Sequence, residues 1–305
     1  MAFAIFLAIF ASFLWASTNH IDKFLLNGID ESWSSIKTLI VFSTLVAWIV
    51  LLPVWLIICK FNVSINNISL ISVLAASVIY ILASYFYFKA LEKNDASIIV
   101  IIFQLIPVFS YILALVFFKE NLTAQQIIWS IVIILSAVLI SIDFENKNHK
   151  SRLIVLILMA LSSLLFATNF FLFDIWIRHS SYNSCAFWFQ MGLLIQGIIL
   201  MCIKSYRTTF LKAIKNNGKK YFSLNIINEA VNLIWNLLVN LANLTIPIAL
   251  ANVLNGFQGW FTFIIGALWV KFLPKYFKEN MNKKVVIQKV SCIVLSIVGL
   301  IIMFI

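Results

Sequence analysis

The chain has 305 residues, of which 63% are hydrophobic and 11% charged, with a mean hydropathy of +1.04. Soluble domains hold about 45–50% apolar and about 25% charged residues, so a soluble enzyme, a secreted disulfide scaffold and a disordered chain are excluded. The net charge of +11 arises from 22 Lys and Arg against 11 Asp and Glu, an excess that in a membrane protein marks cytoplasmic loops rather than nucleic-acid binding. The composition is that of an integral, polytopic membrane protein, expected in the cytoplasmic membrane of a prokaryote.

A helix needs roughly 20 apolar residues to cross the hydrocarbon core. Apolar runs between charged or turn-like breaks predict an all-α protein of ten transmembrane helices. The first five cover residues 2–26, 34–59, 68–90, 96–118 and 124–142. The second five cover 153–177, 182–203, 222–245, 247–270 and 286–305. The first run lacks a basic start and a clear small-residue cleavage pattern, so it reads as a span rather than a signal peptide. Pro107 falls inside span four, where a kink beside a cavity and plain packing both fit. Pro247 opens span nine after a tight connection. Only the connections 204–221 and 271–285 are long, which leaves no extramembrane domain. Cys59, Cys185, Cys202 and Cys292 are scattered without metal or disulfide spacing and read as small hydrophobes.

The chain repeats itself. Phe118-Lys119-Glu120-Asn121-Leu122 recurs as Phe277-Lys278-Glu279-Asn280-Met281, each ahead of the last span of its half. Ile134-Leu135-Ser136-Ala137-Val138 lines up with Val294-Leu295-Ser296-Ile297-Val298, and Ala16-Ser17-Thr18-Asn19 resembles Ala167-Thr168-Asn169 with one gap. Two units follow, residues 1–146 and 147–305. A unit with an odd number of spans must sit upside down in its second copy, the inverted-repeat plan of secondary transporters, with the substrate site near the midplane. Of the Lys and Arg residues, all but Lys60, Lys119 and Arg178 lie in or beside the loops after spans one, three, five, seven and nine. The positive-inside rule puts those loops in the cytoplasm and both termini outside.

The segment Tyr85 to Ile142 resembles the EamA-type repeat of the drug/metabolite transporter superfamily. The residues that carry the likeness are Phe88-Lys89-Ala90-Leu91, Ala96-Ser97, Leu105-Ile106-Pro107-Val108-Phe109 and Lys119-Glu120-Asn121-Leu122. The second half follows less faithfully, with Asn255-Gly256-Phe257-Gln258-Gly259-Trp260-Phe261 in place of Phe103 to Phe109, and with Phe272-Leu273-Pro274-Lys275-Tyr276 inserted before its Phe-Lys-Glu-Asn. The resemblance implies a ten-helix carrier of small solutes with a cavity between its halves, lined by spans one, three, four, six, eight and nine. Members of the superfamily usually keep both termini in the cytoplasm, the reverse of the charge count here.

Span eight carries Asn228, Asn232, Asn236 and Asn240 at four-residue intervals, flanked by Asn225, Glu229 and Asn243, with Trp235 beside them. Residues at i and i+4 share a helix face, and an amide turned to lipid would be left unsatisfied. The stripe therefore faces a cavity or a helix seam. Asn252, Asn255 and Gln258 in span nine, Gln104 in span four, and Asn19 and Asn169 in spans one and six face it as candidate solute ligands. Tyr80, Ser84 and Tyr87 share a face of span three, as ring packing or as cavity wall. Amides and aromatic faces suit a polar or zwitterionic solute.

Intramembrane ionisable groups are functional candidates. Glu229 is the first choice for coupling to protons or another ion, against a salt bridge or a contact with the neighbouring amides. His20 is a relay or a helix-end residue. Asp174 and Arg178 read as an i,i+4 pair. No metal-ligand cluster, nucleophile elbow or phosphate loop is present, so no enzyme activity, cofactor or metal is expected. The expected partners are a small-molecule substrate, the lipid bilayer and a coupling ion, with no nucleic acid. A monomer suffices. The leading expectation is a carrier exporting an amino acid-like solute by alternating access. An importer or exchanger, for instance of a nucleotide-linked sugar, and a non-transporting membrane component are the alternatives.

Overall fold

The computed structural model describes residues 2–26, 35–58, 60–118, 123–142, 149–177, 181–243, 254–274 and 279–304. Lys119 to Leu122, Pro247, Asn252, Lys275 and Tyr276 of the insertion and Phe277 and Lys278 of the second repeat motif lie outside them, as do the side chains of Asp174, Arg178 and Asn240. The described residues are all-α. Their helices are α1 (Ala2–Leu26), α2 (Ile36–Val41), a π-helical turn at Phe42–Val46, α3 (Ala47–Ile58), α4 (Asn67–Lys93), α5 (Ala96–Phe103) and α6 (Leu105–Phe118). They continue as α7 (Ala124–Ile140), α8 (His149–Ile177), α9 (Tyr182–Cys202), α10 (Lys204–Asn243), α11 (Gln258–Phe272) and α12 (Lys283–Phe304). Among the described residues, 7 helices are long and apolar enough to cross a membrane, with α5 and α6 counted as one. The remaining predicted spans correspond to the interrupted α2–α3 stretch, to α7 at 17 residues and to α11 at 15 residues.

Span four departs from a single helix. Its first part ends at Phe103, Gln104 forms a turn whose N–H reaches back to Ile101 O at 3.3 Å, and α6 then starts. Pro107 explains the break: it has no N–H for the Phe103 carbonyl, and its ring crowds that turn. Every residue of α5 is buried, as expected for a helix apolar on all sides. This short helix forms the centre of the main core, with Leu25, Leu91, Ile133 and Ile293 around it.

The contacts between helices follow a pattern. α1 packs on α10 and α11, while α8 packs on α4 and α6. α7 packs on α12, where Ser136 and Ser296, the serines of the repeated Leu-Ser motif, meet at 2.8 Å. Small residues let helices approach where lipid offers no hydrophobic drive between them. At Gly197 of α9 a Cβ would lie 2.9 Å from the backbone N of Leu45, inside the π-helical turn. At Gly259 it would meet only Ile293 side-chain atoms at 3.6 Å.

The Gly197→Ala substitution is therefore expected to destabilise the protein by about 1–3 kcal/mol through overpacking. Gly259→Ala should change stability by less than about 1 kcal/mol. Thermal unfolding of the two variants in detergent checks the pair, and equal midpoints would contradict the packing of α9 on this turn.

Candidate functional site

A cavity of about 290 Å³ lies among α1, α3, α4, α8, α9, α10 and the residues just before α11. Its aromatic wall includes Trp15, Trp48, Tyr80, Phe170, Tyr182 and Trp235. Trp15 stacks on Trp235 with ring centroids 4.8 Å apart, and Tyr80 is held edge-on by Phe166 and Phe189. The polar lining is Asn169, Gln190, Glu229, Asn232, Asn236 and Asn255. Glu229 is the one charged side chain in it, and no Lys, Arg or His lines it among the described residues.

Two ends of the bundle differ. Tyr182 opens α9, Val239 lies late in α10 and Asn255 precedes α11, so the cavity sits toward the end where the even-numbered predicted spans finish. The opposite end holds a buried ionic network. Lys289, fully buried, donates to Asp95 Oδ2 at 2.8 Å and Asn280 O at 3.1 Å, and its Nζ stands 3.6 Å from Glu279 Oε1. Asp95 occupies the N-cap position of α5 without capping it. The free N–H of Ser97 donates instead to Glu279 Oε1 at 3.1 Å, joined by the Ser97 hydroxyl at 2.5 Å. Gly266 leaves room for this carboxylate, since a Cβ there would overlap Glu279 Oε2.

The candidate residues divide between these regions. Asn169, Asn232, Trp235, Asn236, Asn255 and Glu229 line the cavity. Asn19, Gln104, Gln258 and His20 are buried away from it. Asn19 Oδ1 accepts from the Tyr87 hydroxyl at 2.9 Å. The Gln104 amide reaches Val100 O at 3.5 Å, and Gln258 Nε2 has no protein partner. His20 Nε2 lies 2.7 Å from the Thr262 carbonyl, and a carbonyl can only accept, so this nitrogen carries the proton.

The asparagine stripe also divides. Asn225 and Asn228 are buried, the first donating to Tyr221 O and the second to Asp22 Oδ1. Asn232 and Asn236 line the cavity, with Asn232 Nδ2 3.5 Å from Glu229 Oε2 and Asn236 Nδ2 donating to Asn232 O. A helix has 3.6 residues per turn, so each four-residue step overshoots by about 40° and a strict i+4 row winds off its face. Trp15, Trp48 and the α9 wall of Tyr182, Ala186, Phe189, Gln190 and Leu193 were not among the candidates. The helical spacing of the five α9 residues along span seven is the signal that would have found that wall.

Residues 2–142 match the EamA-like transporter family. An EamA domain is identified there. No curated protein matches the chain. Together with the apolar helices, the EamA domain supports a small-molecule membrane transporter. This domain belongs to carriers rather than catalysts, and no group of three or more His, Cys, Asp or Glu that could hold a metal occurs among the described residues.

Asn169 differs from the cavity amides of α10 in that its Nδ2 donates across the helix seam to Ala76 O of α4 at 2.9 Å. Asn169→Ala is expected to cost about 1 kcal/mol, and Asn232→Ala less than about 0.5 kcal/mol. Chemical or thermal unfolding in detergent measures both, and the reverse order would contradict the assignment of Asn169 to the seam.

Proposed function

We propose that the chain is a secondary transporter in which two inverted five-helix units, residues 1–146 and 147–305, move a small polar or zwitterionic solute by alternating access. The observation that carries this reading is the cavity: aromatic faces, amides and one carboxylate converge on it, and among the described residues no cationic side chain does. A solute bearing an ammonium group suits that lining, with Glu229 as counter-charge, the Trp15–Trp235 stack as a cation–π wall, and Asn232, Asn236, Asn255 and Asn169 as hydrogen-bonding partners. Two further polar atoms of the lining, Trp48 Nε1 and Gln190 Oε1, are buried without a protein partner, one a donor and one an acceptor. Nucleotide-linked sugars and other phosphorylated solutes fit poorly, because they need cationic partners.

The helix contacts support the two-unit arrangement. Exchanging each helix for its counterpart in the other unit turns the α1–α10 contact into α8–α4 and the α1–α11 contact into α8–α6, and it leaves α7–α12 in place. All of these contacts are present, and the motif serines Ser136 and Ser296 face one another where a two-fold axis would pass.

In this reading the Asp95–Lys289–Glu279 network closes one side of the bundle while the cavity faces the other, which is one state of an alternating-access cycle. The excess of Lys and Arg on the closed side makes it the cytoplasmic one. The state is then outward-facing, and export is the direction in which the solute leaves from this cavity to the exterior. Integral membrane location is common to every version of the reading, and a prokaryotic inner membrane fits it.

The test is a thermal-stability panel of amino acids, amines, nucleosides and sugars on the purified protein. A ligand at 100 times its dissociation constant adds about 2.7 kcal/mol to the folded state. An amine or amino acid is expected to raise the unfolding midpoint of the wild type and not that of Asn236→Leu, with flux of that compound in vesicles. A solute that stabilises both proteins equally would remove α10 from the site. Absence of flux for every binder would favour a non-transporting component.

A further inference from the structure

Asp22 lies near the end of α1, two turns beyond Trp15, and belongs to a hydrogen-bonded cluster separate from the cavity. Asn228 Nδ2 donates to Asp22 Oδ1 at 2.8 Å. The Tyr87 hydroxyl lies 3.1 Å from Asp22 Oδ2 and 2.9 Å from Asn19 Oδ1. Asn19 and Asn228 are each 2% exposed. Each carries a buried polar atom with no protein partner, Nδ2 on Asn19 and Oδ1 on Asn228.

No cation neutralises Asp22 among the described residues. Lys23, the next residue, directs its ammonium to the Leu91 and Glu92 carbonyls. His20 is turned to Thr262 and Lys289 to Asp95. Lys37 of α2 is on Ser205, Lys271 of α11 lies over Phe272, and α5 has no titratable side chain. The titratable groups that share the field of Asp22 are Tyr80 and Tyr87 of α4 and Glu229 of α10. A carboxylate inside a membrane bundle, held by neutral groups only, is neutralised by taking up a proton or an ion.

Counting hydrogens separates these outcomes. A phenol has one proton, yet the Tyr87 oxygen faces two acceptors. A proton on Asp22 completes the chain, because Asp22 then donates to Tyr87 and Tyr87 donates to Asn19. When that proton leaves, Tyr87 donates to Asp22, and a half-turn of the Asn19 amide brings its unpartnered Nδ2 to the Tyr87 oxygen. The cluster accommodates both states by rotating an amide, and one hydrogen is what distinguishes them.

We propose that Asp22, with Tyr87, Asn19 and Asn228, is the proton-carrying site of this transporter, distinct from the solute cavity. The proposal rests on the carrier reading above. Asn228 is the sequence neighbour of Glu229, and the two carboxyls lie within each other's field. Loss of the proton from Asp22 adds negative charge beside a cavity that already holds Glu229, so proton and ammonium-bearing solute oppose each other's binding reciprocally. That opposition is the condition for proton–solute exchange.

Infrared titration of the full chain in detergent tests the site without any solute. In a Glu229→Gln background, the carbonyl band of a protonated carboxylic acid is expected to disappear as pH rises. Adding Asp22→Asn should remove this component, and Tyr87→Phe should move its midpoint. A titration unchanged by both substitutions overturns the proposal, and a midpoint displaced by saturating Na⁺ overturns it in favour of a metal-ion site. If Asp22→Asn fails to fold, the shift or constancy with Tyr87→Phe decides. A solute found by the panel gives the second readout, loss of pH-gradient-driven flux in Asp22→Asn with solute binding retained; retained gradient-driven flux overturns the coupling role. A failed titration leaves the carrier reading standing, whereas a titrating Asp22 in a protein that binds and moves nothing refutes that reading alone.

Discussion

The buried ammonium of Lys289 is the interaction on which the arrangement of the bundle turns. A fully buried lysine is tolerated only with its charge matched and its protons placed, and Asp95, Asn280 and Glu279 together do this. These groups come from opposite halves of the sequence. Asp95 precedes α5, whereas Glu279 and Asn280 lie just ahead of the last helix and Lys289 stands in its second turn. Because Glu279 also receives the Ser97 N–H, the loop ahead of α12 caps the helix at the centre of the core. Removing one partner from a buried pair costs about 3–5 kcal/mol, so the contact holds the halves firmly while it is made. A change that separates the charges and lets water reach them would release it, which is the property a gate needs.

The remaining polar groups within the helices sort by the same requirement. Some are tied to backbone carbonyls of a neighbouring helix, as Ser162 is to Ala83 O and Ser136 to Cys292 O, and these fix helix seams. Others have no protein partner and line or adjoin the cavity, as Trp48 Nε1 and Gln190 Oε1 do. The cavity walls are largely aromatic, and ring contacts such as Trp15 on Trp235 and Tyr80 against Phe166 and Phe189 pack them, the concave and mostly apolar lining with few polar groups that small-molecule sites share.

Membrane character and the helix content were legible from the composition, because hydrocarbon admits few alternatives to helices. Many helix positions were legible for the same reason, as at Ala2–Leu26 and Tyr182–Cys202, whereas residues 204–221, expected as a connection, are helical and continuous with span eight in Lys204–Asn243. The break at Gln104 was less so: Pro107 announced a disturbance, but it acts one turn upstream, on the carbonyl it cannot serve. In the site, residue type pointed to α10, yet the turn of the helix separates Asn228 from Asn232, and a row read at i+4 does not show that rotation. Asn19 and His20 were found as polar residues in an apolar run, but which neighbour each meets depends on packing between distant segments. Asp22 was not among the candidates, and the adjacent Lys23, which in sequence suggests a paired charge, turns away from it in space. The repeated Phe-Lys-Glu-Asn motif was visible as a repeat, and its task at the N-terminus of α5 emerged only from the folded contact.

The central claim is that the network around Lys289 closes one side of a carrier that opens and shuts. Spin labels at Lys93→Cys and Lys283→Cys, with the four native cysteines replaced, would report the separation of α4 and α12 across that side by pulsed electron paramagnetic resonance. Two distance populations are expected, with the longer one enriched by Lys289→Met and the ratio altered by a solute that binds the cavity. A single distance indifferent to both would contradict the account.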